Sequence, residues 1–521
     1  MHLLDLAPEL LECIIDYTLP LGFEGFALCC KTTHTLSQAK IALHNHYKQK
    51  WRVANASARA AGDPFGLLYE IALDPLLAKY IEVFNFGDWN REAMLTVRHN
   101  DEVMIKIKDL LISSPYFRLA DVDFQEWWTE LEEEFQRGRH EDSDAHNDFP
   151  YATISLLLFL PNIIEIKFAE AWGSSRWYID NDAEKKARLR DPVLDSIVEL
   201  SHGSAFEGRS LNRLETVLPF MRGGYNTKTG FQAVEPFVLI PSVKELYSTS
   251  LVATEKGLGI SFSHPFSRGW QNPNIISGLR RMELAYCCMD GGTLDTILEK
   301  IPRLETFRYE HECKHHGVEY EWDAASFVET LGKRCGNTLT ELAITSSQAH
   351  IGGIENGAET FEVFEKLERL EIDVRIFMGP PKSSGQKRGF AGFSPEGTTL
   401  WQEADLPNLA NILPPSIKSL DMNTDFPKDG DMNDKDAVAL NALLKGFREQ
   451  RQKILPNLER VVVRQMGAES AKRLADEAGC DFEIYRADNT GGRILGRSRG
   501  SFRAKWIRDF DERVGGVSYE Y

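Results

Sequence analysis

Residues 308 to 320 read RYEHECKHHGVEY, and His311-Glu312-Cys313-Lys314-His315 within them fits the pattern H-E-x-x-H. Two histidines one helical turn apart share a face and can ligate zinc, while the glutamate beside them activates a water. Glu329 or Glu341 would have to complete the metal's shell. His311, Cys313, His315 and His316 could also hold a structural ion, because imidazole and thiolate both suit zinc. This chemistry demands a helix under the motif. The preceding stretch, IPRLETFRY, ends instead in the alternation of a strand, and Gly317 follows His315 by two residues. The expectation is a loop leaving a strand, with no catalytic residue, no metal and no cofactor. Two readings of that loop stand: a recognition patch of His311, His315, His316 and Trp322, or a merely solvated turn.

Other segments with chemical potential fall short of their patterns. GPPKSSGQKRG (379–389) lacks the Gly-Lys-Ser/Thr ending of a phosphate loop, and GFSPEG (392–397) is not a nucleophile elbow. The pair Trp127-Trp128 reads either as a dock for a basic peptide or as the anchor of an amphipathic helix running to about Phe135. RILGRSRGSFRAKW (493–506) is basic and rich in Gly and Ser, and reads as a tail.

The elements that would position such residues come from a recurring spacing: apolar, two residues, apolar, two residues, apolar, one residue, apolar. Leu160, Ile163, Ile166 and Phe168 set it first. Ile240-Val243-Leu246, Ile276-Leu279-Met282-Leu284 and Ile301-Leu304-Phe307-Tyr309 repeat it. So do Leu339-Leu342-Ile344, Phe364-Leu367-Leu370-Ile372, Ile417-Leu420-Met422 and Leu455-Leu458-Val461-Val463. YIEVFNF (80–86) is an early, degenerate copy. The closing alternation predicts a strand, and helical patterns precede several copies, at Tyr151–Leu160, Leu294–Lys300, Ala324–Cys335 and Asp436–Lys453. LNRLETVLP (211–219) imitates the motif, but Pro219 falls where a strand should run, so it is read as helix.

The first forty residues differ in character. Pro8 suits the first turn of a helix, and Leu10, Leu11, Ile14 and Ile15 follow at helical spacing until Leu19-Pro20 and Gly22 end it. Phe23 to Cys30 forms a second short apolar segment, and a polar helix spans about Lys40 to Trp51. Three short helices enclose little core, so part of their apolar surface should meet a partner.

This segment resembles the F-box, carried here by Pro8, Glu9, Leu10, Leu11, Ile14, Tyr17, Leu19, Leu28, Cys30 and Lys31. The spacing that follows resembles a leucine-rich repeat, and the whole is similar to the F-box proteins of filamentous fungi. The resemblance implies an α/β fold: a three-helix F-box at 1–50, then a solenoid with a parallel sheet on its concave face and helices outside. A linker with the degenerate repeat and an acidic helical insert would occupy 51–150, the solenoid 151–485 and a basic, flexible tail 486–521. It also implies a substrate receptor of a cullin-RING ubiquitin ligase. Pro8, Leu10, Leu11, Ile14 and Leu28 would hold a Skp-type adaptor. A protein substrate would meet strand residues such as Lys167, Arg308 and Glu371 and the loop at His311–His316. Ala7 and His34 depart from the family pattern, which keeps open a scaffold that no longer assembles a ligase.

Bulk properties narrow the classes further. The formal charge is −18 over 521 residues, the wrong sign for a general nucleic-acid or anionic-membrane binder. Asp121 to Asp148 holds eleven acids against two arginines and reads as a solvated insert. Eight cysteines without a C-x-x-C pair read as reduced thiols, and no basic-then-apolar leader opens the chain, so the expected location is cytoplasm or nucleus.

Overall fold

A computed structural model describes residues 3–55, 64–85, 101–137, 150–170, 172, 181–203, 209–254, 267–314, 321–347, 353–387, 402–424, 435–465, 469–484, 504–517 and 519–520. The chain is α/β and divides into two compact units. The first comprises Met1–Trp172 with Glu184–Val217, the second Gly173–Ala183 with Leu218–Tyr521. The boundary at Val217 differs from the breaks expected at residues 50 and 150.

The first unit opens with α1 (Pro8–Thr18), α2 (Phe23–Leu28) and α3 (Lys31–Trp51). Its strands β1 (Val53–Asn55), β2 (Val83–Asn85), β3 (Glu165–Lys167) and β4 (Thr216–Val217) pair in sequence order, all parallel. Ala54, Phe84, Ile166 and Val217 share one register row and are fully buried. β4 corrects the helical reading of 211–219: Pro219 follows the strand rather than interrupting it, so no ladder bond is lost. The Trp127-Trp128 pair lies on helix Phe124–Arg137 with both rings buried. Glu134 on that helix accepts from the amides of Tyr151 (3.1 Å) and Ala152 (3.0 Å) and so caps helix Pro150–Leu157.

The second unit carries the short strands β5 (Gly223–Gly224) and β6 (Thr229–Gly230), then β7 (Glu245–Thr249), β8 (Leu251–Ala253), β9 (Arg281–Met289) and β10 (Thr306–His311). β11 (Glu321–Asp323), β12 (Glu341–Ser346), β13 (Gly353–Asn356), β14 (Arg369–Asp373), β15 (Ser419–Asn423), β16 (Arg460–Gln465), β17 (Asp481–Ile484) and β18 (Tyr519–Glu520) follow. The main sheet runs β7-β9-β10-β12-β14-β15-β16-β17, every pair parallel. The motif residues make its buried side. Leu246, Met282, Phe307, Leu342, Leu370, Leu420 and Val461 occupy one row, each beside the next in register. Leu284, Tyr309, Ile344, Ile372, Met422 and Val463 fill a second row.

A backbone bond repeats with the motif. The residue before each strand offers one carbonyl to two successive amides of the following copy. Lys244 accepts from Arg280 and Arg281, Arg280 from Glu305 and Thr306, and Glu305 from Thr340 and Glu341. Thr340, Glu368 and Lys418 continue the series. In the first unit Arg52, Glu82 and Ile164 do the same. A parallel strand cannot return by a tight turn, so crossovers intervene, such as helices Gly291–Glu299 and Ala324–Cys335. The helix expected over Asp436–Lys453 is two, Lys435–Leu443 and Phe447–Ile454, broken where Gly446 takes a φ of 67°. Gly278 admits the chain beside Pro241, whose carbonyl oxygen would stand 2.1 Å from an added Cβ.

Candidate functional site

Helix α1 carries two apolar stripes. Leu11 and Ile15 point inward and are buried with Leu19, Phe23 and Ala27. Leu10, Ile14 and Tyr17 follow i, i+4, i+7 on a second stripe, where Leu10 is 52% and Tyr17 90% exposed. Leu21 and Leu28 (75% exposed) extend the uncovered apolar set along the turn and α2. A helix needs one stripe to hold its own fold; the second has no counterpart among the described residues. α3 anchors the group: buried His44 meets Tyr80 Oη at 3.1 Å and Glu24 Oε1 at 3.2 Å, and Lys48 meets Glu24 at 2.6 Å. Of the five residues expected to meet an adaptor, Pro8, Leu10 and Leu28 are exposed and Ile14 is half-buried. Leu11 is 3% exposed and belongs to the interior, because it falls on the inward stripe.

The side of the second unit's sheet opposite the leucine rows is polar. Tyr247, Glu283, Arg308, Ala343, Glu371 and Asp421 form one row, and Ala285, Glu310, Thr345, Asp373 and Asn423 lie two residues on. Its charges pair both along and between strands. Arg281 reaches Glu283 at 2.6 Å, Arg308 Nε reaches Glu341 at 2.9 Å, Arg369 reaches Glu341 at 2.8 Å and Arg464 reaches Asp421 at 2.6 Å. Burial alone would raise Glu341, but Arg308 and Arg369 outweigh it and hold it below the usual carboxylate value. Glu283 is raised by its burial in spite of Arg308 and Arg281. Burial likewise lifts Glu371 to about 7, with Arg464 opposing and Asp421 adding to the rise.

Helix Lys505–Val514 is seated on this side. Trp506, Ile507, Phe510 and Val514 are buried in one cluster with Tyr247, Ala285 and Ala343. The Glu371 carboxylate accepts from the amides of Lys505 (2.5 Å) and Trp506 (3.0 Å), filling two of the four donors a helix start leaves open. Trp506 Nε1 donates to Thr345 Oγ1 at 3.0 Å. At the rim Asp509 lies 3.9 Å from Arg308, and Arg513 lies 3.6 Å from Glu245 with its guanidinium over the Tyr247 ring. Arg308 and Glu371, expected to face a substrate, instead hold this helix. The C-terminal segment expected to be a flexible tail therefore contains an ordered element. The sequence carries the signal, since Trp506, Ile507, Phe510 and Val514 repeat at i, i+1, i+4 and i+8, but the preceding run of arginines and glycines masks it.

The H-E-x-x-H segment leaves a strand rather than lying on a helix, but its described residues are buried instead of solvated. His311 ends β10, so the residues leading to it are extended and the helical face that zinc needs is missing. Its ring stacks on Trp322 at 4.3 Å between centroids, and its Nδ1 meets Tyr309 Oη at 2.9 Å. His311 (3% exposed) and Trp322 (1%) thus form an internal aromatic cluster, and neither is offered to a partner from solution. His315 and His316 lie outside the described residues. Glu312 and Lys314, both 0% exposed, form an ion pair at 2.7 Å. Lys314 Nζ also donates to Gly224 O (2.8 Å) and Ser250 Oγ (3.3 Å), and Ser347 Oγ to Glu312 Oε1 (3.1 Å). All three ammonium hydrogens therefore have acceptors. Ser250 and Tyr286 both adopt a φ of 56°, a strained value for residues with side chains. Glu329 pairs with Lys382, and Glu341 with Arg308, so neither is a candidate third ligand. Among the described residues no group of three or more His, Cys, Asp and Glu is placed to hold a metal ion.

Comparison with protein-family models finds no match to this chain, and comparison with curated proteins finds none either. Lys167, the remaining expected contact, is half-buried on β3 in the first unit. No helix among the described residues is long and apolar enough to cross a membrane.

Proposed function

We propose that the chain is a non-catalytic substrate receptor of a cullin-RING (SCF-type) ubiquitin ligase. The exposed stripe of α1 and α2 binds a Skp-type adaptor, and the second unit, read as a leucine-rich-repeat-like solenoid, holds a protein substrate. The observation that carries the reading is the second apolar stripe: Leu10, Tyr17, Leu21 and Leu28 stand in water on short helices whose interior is already complete. Covering a leucine side chain is worth roughly 1.5–3 kcal/mol, so a few such residues suffice for a stable adaptor contact. The solenoid reading is supported by the register rows and by the carbonyl that recurs before each strand. The receptor acts through proximity, by raising the local concentration of substrate lysines near a ubiquitin carrier. Its setting is cytoplasm or nucleus, where that machinery operates.

Co-precipitation with a purified Skp-type adaptor tests this. The intact chain should capture it, while Leu10→Asp and Leu28→Asp should lose it without changing the circular dichroism spectrum. An intact chain that captures no adaptor would favour the scaffold reading instead.

A further inference from the structure

We propose that helix Lys505–Val514 is a built-in ligand of the second unit's polar sheet face, and that the partner displacing it presents an amphipathic helix of the same chemistry. This rests on the reading that this unit receives a protein.

The two sides of the sheet argue for it. The leucine side is unbroken apolar surface and must be covered for the unit to fold. The opposite side mixes the small or amphipathic residues Tyr247, Ala285 and Ala343 with charged residues that pair along one strand, Arg281 to Glu283, and from strand to strand, Arg308 to Glu341 and Arg464 to Asp421. The helix adds what a bound peptide adds: one apolar stripe of four residues, an indole donor to one hydroxyl, and charges matched at the rim. Lys505, Arg508 and Glu512 on its other side are exposed. The chain's last described residues repeat the pattern. β18 (Tyr519–Glu520) adds alongside β5 (Gly223–Gly224) as a parallel strand, a second peptide-type contact. The occupant is therefore read from its seat: Trp at the first turn, apolar residues one, four and eight positions later, an acid facing Arg308 and a base facing Glu245 and Tyr247.

A tethered ligand acts at an effective concentration of order millimolar, so it shuts out competitors of ordinary affinity. The test uses the full chain and a fluorescent peptide of residues 503–517 followed by anisotropy. A chain carrying Trp506→Ala and Phe510→Ala should bind the peptide saturably. The unaltered chain should bind it at least ~100-fold more weakly, and a peptide with the same two changes should bind neither. If the altered chain keeps its melting midpoint yet ignores the peptide, the proposal is wrong. If that chain fails to fold, Asp509→Lys with Arg513→Glu, both at exposed positions, decides by hydrogen exchange. Faster exchange confined to 505–514 supports a displaceable helix, whereas joint opening of the helix with β10 and β12 shows it to be core and overturns the idea. The peptide assay needs no adaptor, so its outcome is independent of adaptor capture.

Discussion

Replacing Lys314 by methionine tests whether H-E-C-K-H is internal structure. Lys314 and Glu312 are fully buried and 2.7 Å apart. The change keeps a long apolar stem but takes the counter-charge from Glu312 and the donor from Gly224 O and Ser250 Oγ. Breaking one side of a buried pair costs about 3–5 kcal/mol, and the uncovered Gly224 carbonyl adds about 1 kcal/mol. The second unit should therefore lose roughly 4–6 kcal/mol. Adding Glu312→Gln should recover at least ~2 kcal/mol, because the stranded charge goes with it. Urea unfolding followed by tryptophan fluorescence, with hydrogen exchange at 223–224 and 250–251 locating the effect, measures both. A Lys314→Met loss under ~1 kcal/mol, with additive behaviour in the double variant, would refute the reasoning. So would stoichiometric zinc in the purified chain that Glu312→Gln or His311→Ala removes.

Three further outcomes follow from other sites. Asp295 is held down at about 2, chiefly by the hydrogen bonds of Arg334 and also Lys333. Its folded value lies below the unfolded one, so the tie between helices Gly291–Glu299 and Ala324–Cys335 is complete above about pH 4 and fades as pH falls through about 2. Asp295→Asn should cost on the order of 1 kcal/mol at pH 7 after allowance for solvent screening and almost nothing at pH 2, by thermal melts across pH. The Cys30 thiol is drawn down to about 7, first by the Thr33 side chain and then by its amide. Cys287 and Cys335 are pushed up to about 12 and Cys480 to about 11, each mainly by burial. Iodoacetamide mapped by mass spectrometry should label Cys30 far ahead of those three, with a rate inflection near pH 7 that Thr33→Val moves upward. Gly278→Ala should destabilise the second unit by about 1–3 kcal/mol, seen as a lowered melting midpoint, because the Pro241 carbonyl is backbone and cannot swing away.

The sequence by itself determined the repeat. Its apolar spacing has the strand period at one end, and a parallel sheet whose strands follow chain order turns equal spacing into register rows. That is why Leu246 through Val461 align without any long-range information. The same local logic marked α1, since Pro8 and the i, i+4 pairs Leu10–Ile14 and Leu11–Ile15 need only neighbours to specify a helix. Which of its two stripes faces inward was not local. Leu10 and Leu11 are adjacent and equally apolar, and only the packing of α1 against α2 and α3 sorts them. Tertiary structure alone decided the fate of the histidine motif, because Ser250 and Gly224 reach it from distant parts of the chain. It alone also decided the seat of Lys505–Val514. Glu371 lies 134 residues from Lys505, and a carboxylate that distant in sequence caps a helix only once the sheet has brought it there.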